Sequence, residues 1–170
     1  MAQCPTEYSK DKIVSLLGFI LLCFIVGSIS SVLMQDSLTS WYPTLIKSPH
    51  NPPNEVFAPV WAILYTLMGI AIWLIWDEKH NPVFANAVLA FFVGLILNIG
   101  WTFSFFFLKN PILGFADVLM LDFAVLLAVI FFYKIKKLAG ILLIPYLVWL
   151  LFATYLNAYI IWLNPNLLQQ

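Results

Sequence analysis

Apolar residues fall into five long stretches along the chain, at about 13–34, 55–76, 82–108, 112–133 and 138–163, with polar clusters between them. Each stretch holds roughly 20 residues or more, enough to cross a hydrocarbon core of about 30 Å at 1.5 Å per residue. None alternates with the period of a strand, which argues against a β-barrel. The pattern predicts an all-α membrane protein, a five-transmembrane-helix bundle forming one domain over residues 1–170. The first stretch is too long for the apolar region of a signal peptide, and no small-residue cleavage site follows it. The later connections are short: Asp77 to Pro82, Lys109 to Pro111, and Lys134 to Lys137. Short connections predict that consecutive helices are antiparallel neighbours. The one long connection, Gln35 to Asn54, contains Trp41, Tyr42, Pro43, Pro49, Pro52 and Pro53, and its aromatic and proline content predicts an ordered cap. No internal repeat is visible.

Composition agrees with a lipid-facing surface. The chain is 63% hydrophobic and 9% charged, with a mean hydropathy of +0.96; a soluble domain carries about 25% charged residues. All eight basic residues are Lys. Without arginine the chain lacks the fork that grips phosphates, so nucleic acid is not an expected partner. Lys10, Lys12, Lys79, Lys134, Lys136 and Lys137 fall on one side of a five-span topology, and only Lys47 and Lys109 on the other. The positive-inside rule then places the N-terminus in the cytoplasm and the long first loop outside. The cysteines, Cys4 and Cys23, form no motif, and Cys23 reads as a buried thiol.

Polar groups inside spans mark the bundle interior, because unsatisfied polar atoms in hydrocarbon are costly. They are Asn98, Asp117, Asp122 and Asn157. Asp117 and Asp122 point about 140° apart on a helix, so they are not a paired-carboxylate site. Asp117 is either a hydrated residue near a helix start or a functional one; the asparagines are either interhelical ties or ligand contacts. Gly27, Ser28 and Ser31, with Gly94 and Gly100, permit close helix contacts. Of the seven tryptophans, Trp73, Trp76 and Trp162 sit at span ends, as an interfacial belt requires. Trp149 lies near mid-span, and Trp61 and Trp101 are displaced inward. Trp61 and Tyr65, then Asn98, Trp101 and Phe105, then Trp149, Ala153 and Asn157, each share a helix face. Facing inward, such stripes build an apolar pocket with a few polar handles; plain aromatic packing is the alternative.

Chemistry-bearing motifs are absent. His50 and His80 have no companion ligands, so no metal site is expected. No nucleophile elbow, phosphate loop or dinucleotide fingerprint occurs.

The segment Trp41-Tyr42-Pro43-Thr44-Leu45-Ile46-Lys47, followed by Pro52-Pro53, resembles the first loop of the translocator protein family, also called tryptophan-rich sensory proteins or peripheral-type benzodiazepine receptors. The likeness continues through Phe57-Ala58-Pro59-Val60-Trp61, Leu64-Tyr65 and Met68-Gly69. It includes Asn98, Trp101, Phe105-Phe106 and Ala116-Asp117, then Pro145-Tyr146-Leu147-Val148-Trp149, Phe152-Ala153-Thr154 and Asn157. The resemblance implies a bundle, often a homodimer, with a cavity under the first loop, which acts as a lid. It implies porphyrins such as protoporphyrin IX, or isoquinoline and benzodiazepine compounds, as ligands, and no required cofactor. Tyr42, Trp61, Asn98, Trp101, Trp149 and Ala153 would line the cavity. Trp41, Pro52, Pro53, Tyr65, Asp117 and Asn157 join them as candidate ligand-binding residues. Some bacterial members are reported to promote light-dependent porphyrin breakdown, and there Trp61 and Trp149 would be the candidate catalytic residues.

Two departures stand out. Ser48 replaces the proline that usually follows the loop lysine, with Pro49 one step later. The animal cholesterol motif is missing: Ala158 and Trp162 occupy its places, and no Lys or Arg follows Lys137. That favours a bacterial member. Three function classes follow: a receptor or carrier for tetrapyrroles, a porphyrin-degrading photoenzyme, and a scaffold with an incidental pocket.

Overall fold

A backbone surrounded by hydrocarbon must satisfy its own hydrogen bonds, and helices do so within each segment. The structure, a computed structural model, describes residues 5–166, with side chains from residue 10; Cys4 lies outside the described residues. Five long helices follow one another: α1 Pro5–Ser40, α2 Asn54–Ile75, α3 Phe84–Thr102, α4 Pro111–Ile135 and α5 Lys137–Leu163. All five are long and apolar enough to cross a membrane. Their outward faces are apolar, with Leu17, Val32, Ile63, Ile96, Phe123 and Val148 all exposed, while Asn98, Thr102, Ser104, Asp122 and Asn157 are buried inside. This inversion of the soluble pattern suits a lipid solvent.

The first helix differs from expectation: it runs on to Ser40 instead of ending near Met34. The polar run after Met34 marks the edge of the apolar span, not the end of the helix. Nothing breaks the helix before Pro43, and contacts hold its last turns. Ser40 Oγ donates to the Asp36 carbonyl at 2.8 Å, Ser37 Oγ to the Phe106 carbonyl, and Lys109 pairs with Asp36 at 3.4 Å. The lid is therefore shorter, residues 41–53, with a 3₁₀ turn at Tyr42–Thr44.

Neighbour order also differs. Around the bundle the helices run α1, α2, α5, α4, α3 and back to α1, so α2 barely touches α3 although they are consecutive. A short link does not force adjacency: residues 76–83 can span up to roughly 25 Å when extended, well beyond the ~8–10 Å between packed helices. Close approach occurs where α4 meets α5, a Cβ on Gly140 lying 2.7 Å from the Tyr133 Cα, and also where α1 meets α2. A Cβ built on Gly69 would lie 2.6 Å from the Ile20 Cα, and one on Gly27 would lie 2.3 Å from the Tyr65 ring. Within the chain, Gly94 makes only an ordinary contact and Gly100 meets nothing within 4 Å, so neither serves close packing inside the bundle.

The end of α3 widens into a π turn, Phe103–Phe107, in which Leu108 N donates back to the Phe103 carbonyl at 2.9 Å. The extra residue in the turn rotates Phe105 and Phe106 both inward, where they are buried. Lys109, at φ 53°, reverses the chain in a left-handed conformation. Asn110 then caps α4, its Oδ1 accepting from Ile112 N at 3.1 Å and Leu113 N at 3.0 Å. Asn110→Ala is expected to cost about 1 kcal/mol, read as a lower unfolding midpoint in detergent.

Candidate functional site

A cavity of about 410 Å³ lies under the lid, walled by α1, α2, α3, α5 and the lid itself. α4 contributes no side chain to it. Its volume falls within the ~300–1,000 Å³ of small-molecule sites. No lining side chain is charged.

α2 supplies Trp61 and Tyr65, one turn apart and stacked at 5.3 Å between centroids with 25° between planes. α3 supplies Asn98 and Trp101, and its π turn Phe105 and Phe106. α5 supplies Trp149, Ala153 and Asn157 at helical spacing. Phe57 meets the Trp149 ring edge-on at 5.8 Å. The polar groups are tied into the bundle. Tyr65 Oη donates to Asn98 Oδ1 at 3.2 Å, and Asn98 Nδ2 donates to Tyr146 Oη at 3.1 Å. Trp101 Nε1 donates to Asn157 Oδ1 at 3.4 Å, while Asn157 Nδ2 donates to the Pro111 carbonyl at 2.8 Å. Each amide is thus an interhelical tie and at the same time part of the cavity wall.

The lid is stitched down at several points. Tyr42 is buried, lines the cavity, and donates through Oη to Asn51 Oδ1 at 2.9 Å. Burial holds its phenol pKa above the ordinary range, against the opposing effect of the Asn51 bond. The Lys47 ammonium stands 4.7 Å from the Tyr42 ring centroid and donates to the Tyr42 carbonyl at 2.8 Å. Asn164, past the end of α5, reads the Ile46 peptide from both sides: Ile46 N donates to its Oδ1 at 3.0 Å, and its Nδ2 donates to the Ile46 carbonyl at 2.9 Å. Ser48, which stands where the resemblance implies proline, is buried; its Oγ accepts from His50 N at 3.1 Å and lies 3.3 Å from Tyr155 Oη.

Eight of the candidate residues meet at the cavity: Tyr42, Trp61, Tyr65, Asn98, Trp101, Trp149, Ala153 and Asn157. Four do not. Trp41 packs edge-on against Phe105 at 5.7 Å, behind the wall. Pro52 is half-buried, and Pro53 is exposed and precedes α2 as its N-cap residue. Asp117 faces α3, where its carboxylate accepts from Ser104 Oγ and anchors the π turn. Asp122 accepts from Thr154 Oγ1 at 2.7 Å, between α4 and α5. Sequence reasoning missed the α1 wall, where Ser28, Ser30, Ser31 and Met34 line the cavity, and it missed Phe57, Thr102 and Phe152. The last two were findable: Thr102 is one turn from Asn98, and Phe152 one turn from Trp149. Trp73, by contrast, sits at the other end, its Nε1 donating to the Lys12 carbonyl at 3.1 Å. Among the described residues no group of three His, Cys, Asp or Glu is placed to hold a metal.

Comparison with known proteins agrees with the architecture. The TspO/MBR family profile matches residues 19–163. The chain is 39% identical over 158 residues to a Chlorobaculum tepidum protein named tryptophan-rich protein TspO, covering 92% of this chain and 99% of that one. It is also 39% identical over 154 residues to the protein of the same name in Archaeoglobus fulgidus, covering 90% and 99%. To the human translocator protein it is 36% identical over 124 residues, covering 72% and 73%. With five apolar helices around an aromatic cavity and a match over most of its length, this chain is a multi-pass membrane protein of the TspO/MBR family.

Proposed function

We propose that the chain binds tetrapyrroles such as protoporphyrin IX in the cavity under the lid, as a membrane receptor or carrier with a regulatory or stress-response role. The observation that carries this is the wall: three indoles, Trp61, Trp101 and Trp149, around an uncharged space of about 410 Å³ that three amides, Asn54, Asn98 and Asn157, also line. A flat macrocycle gains most from offset contact with aromatic faces, and the amides supply orientation. The ligand's carboxylates stay toward the lid, where Lys47 stands. No bound cofactor is required. Family resemblance supports a homodimer in the bilayer, and lysine distribution supports a cytoplasmic N-terminus in a bacterial cell membrane. Light-dependent porphyrin breakdown is the second reading, favoured by the placement of Trp61 and Trp149, both oxidisable indoles, in the wall itself.

Protoporphyrin IX titration of detergent-solubilised protein in the dark, read by tryptophan quenching, tests the proposal. Trp61→Phe and Trp149→Phe are expected to weaken saturable binding by about fivefold each, the loss of roughly 1 kcal/mol of aromatic contact. Trp73→Phe, at the far end of the bundle, is expected to bind as wild type. Equal weak quenching in all four proteins would mean partition into micelles, and a scaffold role would replace the receptor.

A further inference from the structure

The aromatic wall does not stop at the cavity. From Trp149 and Phe152, which line it, a continuous row of rings runs along α5 through Tyr155 and Tyr159 to Trp162. Successive centroids are 5.8, 6.2, 5.5 and 5.3 Å apart, and the Phe152 and Tyr155 planes differ by only 19°. The row ends at Trp162, 70% exposed, at the lid side of the bundle. An interfacial aromatic belt of Trp and Tyr accounts for Trp162 and Tyr159 at the end of α5. It accounts neither for unbroken contact back to the cavity nor for the partner of Tyr155: His50 Nδ1 lies 3.1 Å from the Tyr155 hydroxyl. A phenol loses an electron readily only when its proton has somewhere to go, and an imidazole nitrogen is such an acceptor.

We infer that this row carries single oxidising equivalents from a photoexcited tetrapyrrole in the cavity to the membrane surface, with Tyr155 and His50 as a proton-coupled relay. It rests on the tetrapyrrole reading above for its oxidant. The excited macrocycle takes one electron from Trp149, leaving a macrocycle radical anion and an indole radical cation. Phe152, too hard to oxidise itself, bridges to Tyr155. One electron passes from Tyr155 to Trp149 and the phenolic proton passes to His50 Nδ1, giving a neutral tyrosyl radical and an imidazolium. The macrocycle anion hands its electron to dioxygen. An electron from a water-soluble reductant, such as a thiol, enters at Trp162 and crosses to Tyr155 with Tyr159 only bridging, as Phe152 does, and Tyr155 recovers its proton from His50. The other cavity branch has no such outlet. Trp61 stacks on Tyr65, whose hydroxyl donates to the Asn98 amide oxygen, and an amide oxygen does not take the proton. The position of the base therefore sends the hole along α5.

Flash photolysis of protoporphyrin-loaded protein tests this, with the tryptophanyl and tyrosyl radicals followed by transient absorption. In wild type the tryptophanyl signal should decay as the tyrosyl signal rises. Tyr155→Phe should leave the tryptophanyl radical about tenfold longer-lived, a rise in barrier of about 1.4 kcal/mol. His50→Gln, which keeps the phenol and removes the base, should slow the tyrosyl rise similarly. Identical decays in wild type and Tyr155→Phe, with porphyrin bound to both, would overturn the relay while leaving the binding proposal intact. A second arm needs no ligand: a water-soluble ruthenium polypyridyl photo-oxidant with a sacrificial acceptor oxidises the row from Trp162. Freeze-trapped electron paramagnetic resonance should then show a tyrosyl radical, lost in Tyr155→Phe and in Trp162→Phe. That result without porphyrin binding would support the row and discard the ligand; an unchanged tyrosyl signal in Tyr155→Phe would discard the row.

Discussion

Gly69→Ala should lower the unfolding midpoint of the protein in detergent, while Gly100→Ala should leave it unchanged or raise it slightly. The two substitutions are chemically the same and sit in transmembrane helices, so the difference is a packing difference. The new methyl at Gly69 would lie 2.6 Å from the Ile20 Cα and 2.8 Å from Ile20 N. Those are backbone atoms of α1 and cannot rotate away. The helices must separate, and their contacts near Cys23 and Met68, both buried in the core, would loosen together. Overpacking of this kind costs about 1–3 kcal/mol, and a contact with backbone belongs at the upper end. At Gly100 nothing lies within 4 Å, so the methyl enters open space and the helix gains the small propensity advantage of Ala over Gly. Thermal unfolding in one detergent, followed by circular dichroism, measures both. Equal midpoints for the two variants would show that α1 and α2 are not held at the spacing described.

Asn98→Leu should destabilise the bundle and also weaken porphyrin binding. The amide joins three helices through Tyr65 and Tyr146, all of them buried. Leucine fits hydrocarbon better than asparagine but leaves both phenols without that partner. Hydrogen bonds between transmembrane helices average only ~0.6 kcal/mol, whereas a buried hydroxyl left unpaired costs about 1–3 kcal/mol. The larger effect is therefore the orphaned phenols, not the lost bonds. It follows that removing the phenols as well should restore stability. A triple variant, Tyr65→Phe with Asn98→Leu and Tyr146→Phe, is expected to unfold above the single variant although it has fewer hydrogen bonds. On the proposed binding mode, porphyrin affinity should not recover in the triple variant, because the amide assigned to orienting the ligand is still missing. Recovery of both together would assign Asn98 a purely structural role.

Much of the fold is legible in the chain because lipid leaves few solutions. Stretches of sufficient apolar length have to be helices, and their number follows by counting. The stripes of Trp61 with Tyr65, Asn98 with Trp101, and Trp149 with Ala153 and Asn157 are local: helical periodicity alone puts their members on one face. Those faces do converge on the cavity. Asp117 illustrates the limit. Its position in a span marks an inward-facing polar residue, but whether it reaches a ligand or Ser104 depends on how α3 ends. The π turn that brings Ser104 to it has no signature in a run of phenylalanines.

Helix identity, membrane character and the facing of each aromatic stripe are determined by the sequence itself, since each depends on residues within one segment and on the solvent. The order of helices around the bundle is not local. It depends on surface complementarity between distant segments, such as Gly69 against Ile20 and Gly27 against Tyr65. Tertiary structure therefore decided that α2 packs beside α5 and not α3, that α1 supplies a wall of the cavity while α4 supplies none, and that the lid places His50 on Tyr155. The physical reason is the same in each case: a helix's own period fixes which side chains share a face, and only packing fixes what that face meets.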